Sequence, residues 1–399
     1  MAWSTPWAPT PAELNACVEC GLCLPHCPTF RLTGDESASP RGRLNAMSAV
    51  ASGLVPIDEA FDEVMSFCLQ CRACEAACPS LVPFGRAMEG ARAEVAAVRH
   101  RGSRLRRRML GRWIGRPGLI GAASWGAAAA QRVGVWLVPP RLRPGLRGLR
   151  RLPWRRRSVV GYDSLEGDGV VGLLAGCVMD PWFGPVHEAT IALLEKAGHR
   201  VVVPAGQTCC GALAAHEGAA EDAERMAQVN AGAFADVDVV VSNAAGCSSH
   251  LVGYSHWGQP DVGEKADDVL RLIAAAVGDG RLPALDPSGD RVAIHDPCHH
   301  RHALRMTAEP RIVLRAAGYE PIDVDPAGMC CGAAGVYSVL HPETSSRLGG
   351  AKAAEVAATG CSVVASANPG CEMQLRAHLG EGVRVAHPLE LYAEALGVC

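Results

Sequence analysis

Apolar residues follow a helical period in the N-terminal part of the chain. After a turn marked by Pro40 and Gly42, apolar positions recur at helical spacing until Gly53, and they are Leu44, Met47, Val50 and Ala51. A second helix is predicted from about 58 to 67. The pattern therefore predicts a small helical domain over residues 1–95.

From Gly169 onward the apolar residues form short runs, which recur in two copies about 121 residues apart. Each copy has a strand, a helix that ends in Ala-Gly, a second strand and a later strand. The first and the later strand are predicted at 170–174 and 237–242 in one copy, and at 292–294 and 362–367 in the other. This order predicts two parallel α/β domains with right-handed crossovers, at 166–285 and 286–399.

Length and composition fit this architecture. The chain has 399 residues, of which 49% are hydrophobic and 5% aromatic. Such a chain supplies enough apolar side chains for more than one core, and it favours tightly packed α/β layers over a large sandwich. The net charge of -3 predicts no partner. The predicted fold class is multi-domain, α+β and α/β, with a helical N-terminal domain, an Arg-rich linker at 96–165 and a tandem α/β repeat.

About half of all arginines lie between Arg86 and Arg157, mostly in this linker. Basic amphipathic segments bind an anionic membrane surface or an acidic partner, or form a solvated helical arm on their own domain. Nucleic-acid binding is disfavoured because no reading motif accompanies the charges. The stretch 118–139 is rich in Gly and Ala and carries Gln131 and Arg132, so no membrane-spanning helix is expected. The N-terminus does not resemble a secretory signal, which predicts a cytoplasmic protein or one peripheral on the inner face of the cell membrane.

Two copies of one cysteine spacing dominate the N-terminal domain. Each reads C-x2-C-x2-C-x3-C-P, and the copies are Cys17, Cys20, Cys23, Cys27 with Pro28 and Cys68, Cys71, Cys74, Cys78 with Pro79. This run ligates 4Fe-4S clusters in bacterial ferredoxins, where the fourth cysteine serves the other cluster. The predicted ligands are Cys17, Cys20, Cys23 and Cys78 for cluster 1, and Cys68, Cys71, Cys74 and Cys27 for cluster 2. A zinc ribbon is disfavoured, because zinc sites usually combine two C-x2-C pairs.

Eight further cysteines repeat within the two α/β domains. They are Cys177, Cys209, Cys210 and Cys247 in the first domain and Cys298, Cys330, Cys331 and Cys371 in the second. In both domains 31 residues lie between the first cysteine and the Cys-Cys-Gly triplet. Because residues beyond parallel strand ends gather at one sheet edge, each set of four is predicted to meet. Each set is interpreted as a metal centre, with small apolar core residues as the alternative. Cys361 and Cys399 fit neither pattern and are interpreted as bystanders.

Other residues near the cysteines have two interpretations each. His250 is either a nitrogen ligand of the first site or a polar residue at a helix start. A group of histidines around Cys298 indicates either a metal or proton-relay site or a turn with satisfied hydrogen bonds, and the group comprises His295, His299, His300 and His302. Arg41 and Arg43 either raise the cluster potentials or contact an acidic partner, or they are solvated at a helix start.

The doubled ferredoxin run and the two Cys-Cys-Gly domains together resemble the iron-sulfur subunits of glycolate oxidase, glycerol-3-phosphate dehydrogenase and heterodisulfide reductase. The resemblance covers nearly the whole chain, and within the group four motifs look most like the glycolate oxidase iron-sulfur subunit. They are Cys-Pro-Thr-Phe-Arg-Leu-Thr-Gly-Asp-Glu at 27–36, Pro-Arg-Gly-Arg at 40–43, Cys-Leu-Gln-Cys-Arg-Ala-Cys-Glu at 68–75 and His-Asp-Pro-Cys-His at 295–299.

This resemblance implies an electron-transfer subunit with no catalytic residue of its own. A partner FAD subunit would oxidise a 2-hydroxy acid, either glycolate to glyoxylate or lactate, and this chain would pass the electrons to a quinone or another acceptor. No G-x-G-x-x-G motif opens a βαβ unit, so no flavin is expected on this chain.

The alternative within the same group is a thiol/disulfide oxidoreductase similar to heterodisulfide reductase. In those catalytic subunits the domain ends with a C-x2-C pair, whereas here Cys247 and Cys371 are followed by Ser-Ser-His and Glu-Met-Gln. The fifth thiolate is therefore missing from both sites, which disfavours this alternative. It leaves an iron-sulfur centre, zinc or no metal as the candidates for each site. A zinc scaffold without redox function is a third interpretation of the chain.

Overall fold

The computed structural model describes residues 3–98, 117–134, 138, 143–154 and 158–398. The most arginine-rich runs of the linker, at 104–110 and 155–157, lie outside these residues, as does Cys399. Within the described ranges, no helix combines the length and the apolarity that a membrane crossing requires.

Short helices around the two cysteine runs form the N-terminal domain. The α-helices are Pro11–Asn15, Pro28–Thr33, Pro40–Ala51, Glu59–Ser66, Ala73–Ala76 and Phe84–Val98, and the 3-10 turns are Leu24–His26 and Glu36–Ala38. Both helices that the apolar pattern predicts are present. The fully buried side chains Met47, Met65 and Met88 fill the core of this domain, and the same apolar cluster includes Cys68 and Cys74.

The start of the helix Pro40–Ala51 differs from the sequence prediction. The predicted turn at Pro40 and Gly42 is instead the first turn of this helix. The hydroxyl of Ser39 caps it by accepting a hydrogen bond from the Gly42 N–H at 2.9 Å. Proline is well accommodated at the first helical position, because the N–H that it lacks has no partner within the helix there.

The C-terminal part contains two parallel sheets in its described residues. Their strands are β1 (Val170–Leu173), β2 (Arg200–Val202), β3 (Val239–Ser242) and β4 (Ala266–Asp268) in the first sheet and β5 (Arg291–Ile294), β6 (Glu320–Asp323), β7 (Val363–Ala365) and β8 (Arg384–Ala386) in the second. The spatial orders are β2-β1-β3-β4 and β6-β5-β7-β8, and all neighbours pair in parallel. The equal topology confirms the predicted tandem α/β repeat.

Each sheet has one strand more than the sequence predicts. The additional strands, β4 and β8, are three residues long. Two of the three residues in β4 are aspartates, and β8 begins with an arginine, so neither strand forms an apolar run. The side chains of Asp268 and His387, at the ends of these strands, cap the helices that follow. These helix caps are a local sequence signal for the strand ends that the pattern of apolar residues does not contain.

The two α/β domains share one apolar core. The helices of the first are Met179–Trp182, Gly184–Lys196, Ala212–His216, Ala220–Ala233, Ala245–Val252, Pro260–Lys265 and Val269–Gly278, with a 3-10 turn at Tyr254–Trp257. Those of the second are Ala308–Ala316, Tyr337–Leu340, Pro342–Ala358, Pro369–His378 and Pro388–Ala395, with a π-helical turn at His299–Leu304. Leu193 and Ile273 of the first domain pack in the same cluster as Val313 and Tyr392 of the second.

The described part of the linker packs on this repeat. It contains the helices Pro117–Val133 and Arg143–Gly148. After these helices in the sequence, Nη2 of Arg150 donates to the carboxylates of Glu372 and Glu390, each at 2.7 Å. This part of the linker is therefore a helical arm on the chain's own domains. The domain boundaries drawn from the sequence stay predictions.

Candidate metal centres

A cavity in the N-terminal domain is lined by cysteines of both runs. Its walls include Arg41, Cys74 of the second run and the four residues assigned to cluster 1, which are Cys17, Cys20, Cys23 and Cys78. The last cysteine of the second run thus faces the first three cysteines of the first run, as a crossed ligand set requires. Cys20 is exposed and the other three are partly buried, so this set lies at the surface of the domain.

Both cysteine runs fold with the same unusual backbone. Glu19 and Gly21 in the first run, and Gln70 and Arg72 at the matching positions of the second, have positive φ angles of 55°, 79°, 52° and 61°. Left-handed residues in such loops turn N–H groups toward a common point, which forms a concavity that binds anions. The Gln70 N–H donates to Sγ of Cys68 at 3.4 Å. The loops are therefore shaped to surround a sulfur-rich, anionic group.

The second ligand set is buried. Its members are each less than a tenth exposed, and they are Cys27, Cys68, Cys71 and Cys74. Burial raises the pKa of Cys74 well above its usual range, and the neighbouring thiols of Cys71, Cys68 and Cys27 raise this pKa further. Buried thiols this close together lose their protons only when a metal compensates for the charge. The set fits an iron-sulfur cluster, because iron supplies that compensation.

The spacing of the sulfur atoms distinguishes a single ion from a cubane. Ligands of one zinc ion lie about 3.8 Å apart, because zinc–sulfur bonds are about 2.3 Å long and point to the corners of a tetrahedron. Among the described residues, His295, Cys331 and Cys371 form the group of ligand atoms that lie within 4.8 Å of one another. No three of the ferredoxin-type cysteines in the described residues have sulfur atoms that all lie within 4.8 Å of one another, which fits a cubane in which each iron takes one thiolate.

Arg43 is buried next to the second ligand set. Its side chain has no exposed surface, and it donates to the carbonyls of Ala38 and Val64 at 2.7 and 3.0 Å and to the hydroxyl of Thr29 at 3.2 Å. Sγ of Cys27 lies 3.2 Å from the same hydroxyl. The interpretation as a solvated helix-start residue is therefore wrong for Arg43. A buried cation whose hydrogen bonds end on neutral oxygens fits an anionic cluster beside it.

In the first α/β domain the predicted cysteines meet in two pairs. Cys177 follows β1, Cys209 and Cys210 follow β2, and Cys247 lies in the helix that follows β3. The Sγ atoms of Cys177 and Cys209 are 3.3 Å apart, as are those of Cys210 and Cys247. The sequence prediction that residues beyond the strand ends gather at one sheet edge holds for this set.

In the second α/β domain a histidine joins the four cysteines. The Cys330 thiol raises the pKa of neighbouring Cys298 well above its usual range, and burial raises it further. Cys331 and Cys371 lie within 4.8 Å of each other and of a ring nitrogen of His295. Burial lowers the pKa of His295 to about 4, so the imidazole is neutral near pH 7 and has a lone pair for a metal.

The buried ligand set of the N-terminal domain packs directly against this second site. Cys71 belongs to the same apolar cluster as Cys330, with Cys298 at the edge of that cluster. Burial raises the pKa of Cys71 well above its usual range, and the next cause is the charge of Cys298. The helix Ala73–Ala76 contacts the π-helical turn His299–Leu304. The two sites are therefore neighbours, although their cysteines are more than 200 residues apart in the sequence.

The histidines that follow β5 do not share one role. Nε2 of His300 donates to the Asp268 carboxylate at 2.8 Å, and Nε2 of His302 donates to the Gly328 carbonyl at 2.9 Å. For His302 the predicted turn with satisfied hydrogen bonds is confirmed, whereas Nδ1 of His300 is buried without a partner among the described residues, so the prediction holds for only one of its two ring nitrogens. Neither ring nitrogen of His295 has a hydrogen-bond partner within the part of the chain that the structure describes, so the same prediction is wrong for His295.

His250 is a buried residue of the helix Ala245–Val252 and does not lie at its start. Its ring packs edge-on against Tyr254 at 5.7 Å and near Trp257. Burial lowers the pKa of His250 to about 4. The interpretation as a polar helix-start residue is therefore wrong, and nitrogen ligation at the first site stays a prediction.

Sequence reasoning missed a contact between a carboxylate of the N-terminal domain and a histidine of the first α/β domain. The Glu89 carboxylate lies 3.1 Å from Nδ1 of His216. Burial alone would raise the pKa of Glu89, but the hydrogen bond and charge of His216 lower it below its usual range. The His216 ring lies 5.9 Å from that of His299, so the contact reaches the second α/β domain. Glu89 lies within a helix and His216 ends one, and neither carries a spacing signal in the sequence.

Two families match these parts of the chain. The 4Fe-4S dicluster domain matches residues 13–93, and the Cysteine-rich domain matches twice, at 171–252 and 292–376. Fold and site together define an iron-sulfur protein of electron transfer, in which a dicluster domain precedes two cysteine-rich domains. The predicted fold class and the predicted pair of 4Fe-4S clusters are confirmed.

Two relatives align with nearly the whole chain, and a third aligns with about half of it. The protein is 34% identical to the probable glycolate oxidase iron-sulfur subunit of Bacillus subtilis (strain 168), over 96% of this chain and 94% of that one. It is 29% identical to the glycolate oxidase iron-sulfur subunit of Escherichia coli (strain K12), over the same shares of the two chains. Lactate utilization protein A of Oceanobacillus iheyensis is 28% identical over 55% of this chain and 95% of its own length. The chain belongs to the family of glycolate oxidase iron-sulfur subunits.

Proposed function

We propose that this chain is the electron-transfer subunit of a complex that oxidises a 2-hydroxy acid. The substrate is either glycolate, which is oxidised to glyoxylate, or lactate. An FAD-containing partner subunit performs the oxidation, and a quinone or another acceptor takes the electrons. The observation that carries the proposal is the contact between Cys71 of the dicluster domain and Cys298 and Cys330 of the second cysteine-rich domain. The names of the relatives support the substrate class.

The residues of the dicluster domain divide into two proposed ligand sets. Cluster 1 is assigned to Cys17, Cys20, Cys23 and Cys78, and cluster 2 to Cys68, Cys71, Cys74 and Cys27. A bound 4Fe-4S cluster accepts and releases one electron at a time, so the clusters can take the two electrons of a reduced flavin one after the other. The apolar cluster that contains Cys68 and Cys74 excludes water from the second set, and the Gln70 N–H of the second loop donates to Sγ of Cys68.

Burial gives the relay a direction. Cys20 is exposed, whereas the second set is buried against the cysteine-rich repeat. Electron transfer between proteins needs a centre close to the surface, so the exposed set is the one that faces a partner. We assign the flavin partner to the surface around Cys20, and the cysteine-rich repeat to the acceptor side of the dicluster domain.

Peripheral membrane contact is the part of the proposal that concerns the linker. Arg150 is paired with Glu372 and Glu390, so its charge is not available to a membrane surface, whereas Arg147 and Arg151 of the linker are exposed. A flotation assay with vesicles of anionic lipid tests this contact. We expect binding at low salt and release at high salt, because exposed charges are screened. Absence of binding at low salt would remove this part of the proposal.

Anaerobic purification of the chain with its natural partner tests the function itself. We expect a flavoprotein in the preparation, and reduction of an artificial dye that depends on glycolate or lactate. The substitution Cys71→Ser should abolish dye reduction and weaken the visible and EPR signals of the clusters. Cys361→Ser is the matched control, because Cys361 is an equally buried cysteine outside all four sets. Thiol or disulfide turnover by the isolated chain, without a flavoprotein, would instead support the oxidoreductase similar to heterodisulfide reductase.

A further inference from the structure

His295 is a buried imidazole without a hydrogen bond. It is the first residue after β5 and is 4% exposed. Within the described part of the chain, neither Nδ1 nor Nε2 has a partner. A buried polar group without a partner is destabilising, so an unexplained case indicates a ligand that completes it.

The polar groups nearest to His295 are engaged elsewhere. The Asp296 carboxylate accepts hydrogen bonds from Arg311 at 2.9 and 3.0 Å. Asp325 is paired with the buried ammonium of Lys352. Neither carboxylate is hydrogen-bonded to the His295 ring, so neither of them orients it.

Two of those sulfur atoms converge on the imidazole. One ring nitrogen of His295, Sγ of Cys331 and Sγ of Cys371 all lie within 4.8 Å of one another, and all three residues are buried. Three donors at this spacing can bind one metal atom together. Neutral imidazole and thiolate are the donors that zinc and iron take in proteins.

The first repeat has an apolar residue at the matching position. Leu174 follows β1 as His295 follows β5, and each lies three residues before the first cysteine of its set. The Leu174 N–H donates to the Val241 carbonyl at 2.8 Å, and the His295 N–H donates to the Ala365 carbonyl at 3.0 Å, so the two backbones match. The fold accepts leucine here, and the imidazole is therefore not required for the fold.

We propose that His295 is a nitrogen ligand of the metal centre in the second cysteine-rich domain, beside Cys331 and Cys371. The metal atom is zinc or one iron of an iron-sulfur centre; a four-coordinate zinc ion takes one further thiolate, from Cys298 or Cys330, whereas an iron-sulfur centre with several irons has room for both. An iron that takes a neutral imidazole instead of a thiolate carries one negative charge fewer in its ligand set, and this raises its potential as it does in Rieske proteins. The proposal requires a metal in this domain and is independent of the flavin partner.

The test compares the wild-type chain with His295→Leu and His302→Gln, all purified without oxygen. Leucine reproduces the first repeat and so keeps the fold, whereas His302 is a nearby histidine that is bound to the Gly328 carbonyl. Iron and zinc are counted per chain. If the additional metal is zinc, X-ray absorption at the zinc edge should give one nitrogen among sulfur ligands. If it is iron, pulsed EPR of protein labelled with ¹⁵N-histidine should give a hyperfine coupling to one nitrogen.

We expect His295→Leu to lose the additional metal or the nitrogen signal, while the iron of the dicluster domain and the His302→Gln protein are unchanged. An all-sulfur centre in the wild-type chain would overturn the proposal. So would an unchanged nitrogen signal in His295→Leu, or a wild-type chain with no metal beyond its two cubanes. Dye reduction with the flavin partner is measured separately, so that a failure of the proposed function is distinguished from a failure of His295 ligation.

Discussion

Arg43 shows how one buried residue indicates a cofactor. Its guanidinium is inside the dicluster domain, and its hydrogen bonds end on two carbonyls and one hydroxyl. In the absence of an anion such a group would be strongly destabilising. The thiolates around Cys27 supply the negative charge once a cluster is bound.

Replacing this charge should make the second cluster harder to reduce. In Arg43→Met the reduced cluster loses a nearby cation, so we expect its potential to fall on the order of tens of millivolts, since about 59 mV corresponds to a tenfold change for one electron. A redox titration followed by EPR measures the shift. Arg43→Lys keeps the charge and should restore most of the potential; equal potentials in wild type and Arg43→Met would contradict this role.

A second residue-scale prediction concerns acid stability. His187 is fully buried, with Nε2 donating to the Ala175 carbonyl at 2.9 Å and Nδ1 accepting from the Asn243 amide at 3.0 Å. Burial lowers the pKa of His187 to about 4, whereas an unfolded histidine has a pKa of about 6.5. The unfolded chain therefore binds a proton between these values and the folded chain does not, so stability is complete above pH 6.5 and is lost as the pH falls toward 4.

His187→Gln should remove this dependence. The wild type should lose about 3 kcal/mol more than the variant between pH 7 and pH 4, since one pKa unit corresponds to about 1.4 kcal/mol. Unfolding by urea at a series of pH values measures the difference. A constant gap between the two proteins would show that His187 does not titrate in this way. The comparison cancels the acid lability of the clusters, because both proteins carry the same ones.

At the scale of elements, the cysteine loops combine a fixed spacing with a fixed backbone. Gly21 has a φ of 79° in the first loop, and Gly34 has a φ of 70° behind the helix Pro28–Thr33. A side chain costs about 1–2 kcal/mol in this conformation at either position. A Cβ at Gly21 would also meet the Arg41 guanidinium at 3.3 Å, whereas one at Gly34 meets nothing within 4 Å.

These two glycines provide a matched pair. Gly21→Val should lower both the thermal stability and the iron content, because the loop that holds the first set must change shape. Gly34→Val should lower the stability by a similar amount and keep all the iron. Iron analysis and thermal unfolding of both variants decide the matter, and equal iron loss would indicate a general effect of strain.

The elements also show what the sequence can predict. The ligand spacing of Cys17, Cys20 and Cys23 is local, so it is readable directly from the chain, and the strands β1, β3, β5 and β7 are apolar runs. The strands β4 and β8 are too short and too polar to give such a signal. The contact of Glu89 with His216 joins two domains, and only the packing of those domains brings the pair together. His295 was recognisable as a candidate, but its missing hydrogen bonds became visible only in three dimensions.

At the scale of the whole molecule, the backbones of the dicluster domain and the first cysteine-rich domain approach so closely at Gly218 that no side chain fits between them. Gly218 has a φ of 75°, and a Cβ there would lie 2.2 Å from the Arg92 carbonyl of the dicluster domain. Gly258 has a φ of 73°, and a Cβ there meets nothing within 4 Å. Close approach, in addition to backbone conformation, therefore requires glycine at the first position.

Gly218→Ala should separate these two domains slightly, whereas Gly258→Ala should not. We expect the control to lose about 1–2 kcal/mol from backbone strain alone, and Gly218→Ala to lose more. Hydrogen exchange in the helix Phe84–Val98 should become faster in Gly218→Ala only. The same exchange rates in both variants would argue against a tight contact at this place.

The unequal exposure of the two ligand sets has a consequence for damage. Oxidants reach Cys20 from solvent. The set around Cys71 is buried, and Cys71 itself packs against the cysteine-rich repeat. Air should consequently destroy the outer cubane first and leave a chain with about half of its dicluster iron, which would separate the inner cubane from a flavin partner that docks where we propose. Electron transfer would then stop because the exposed cluster is lost, while the buried cluster stays intact.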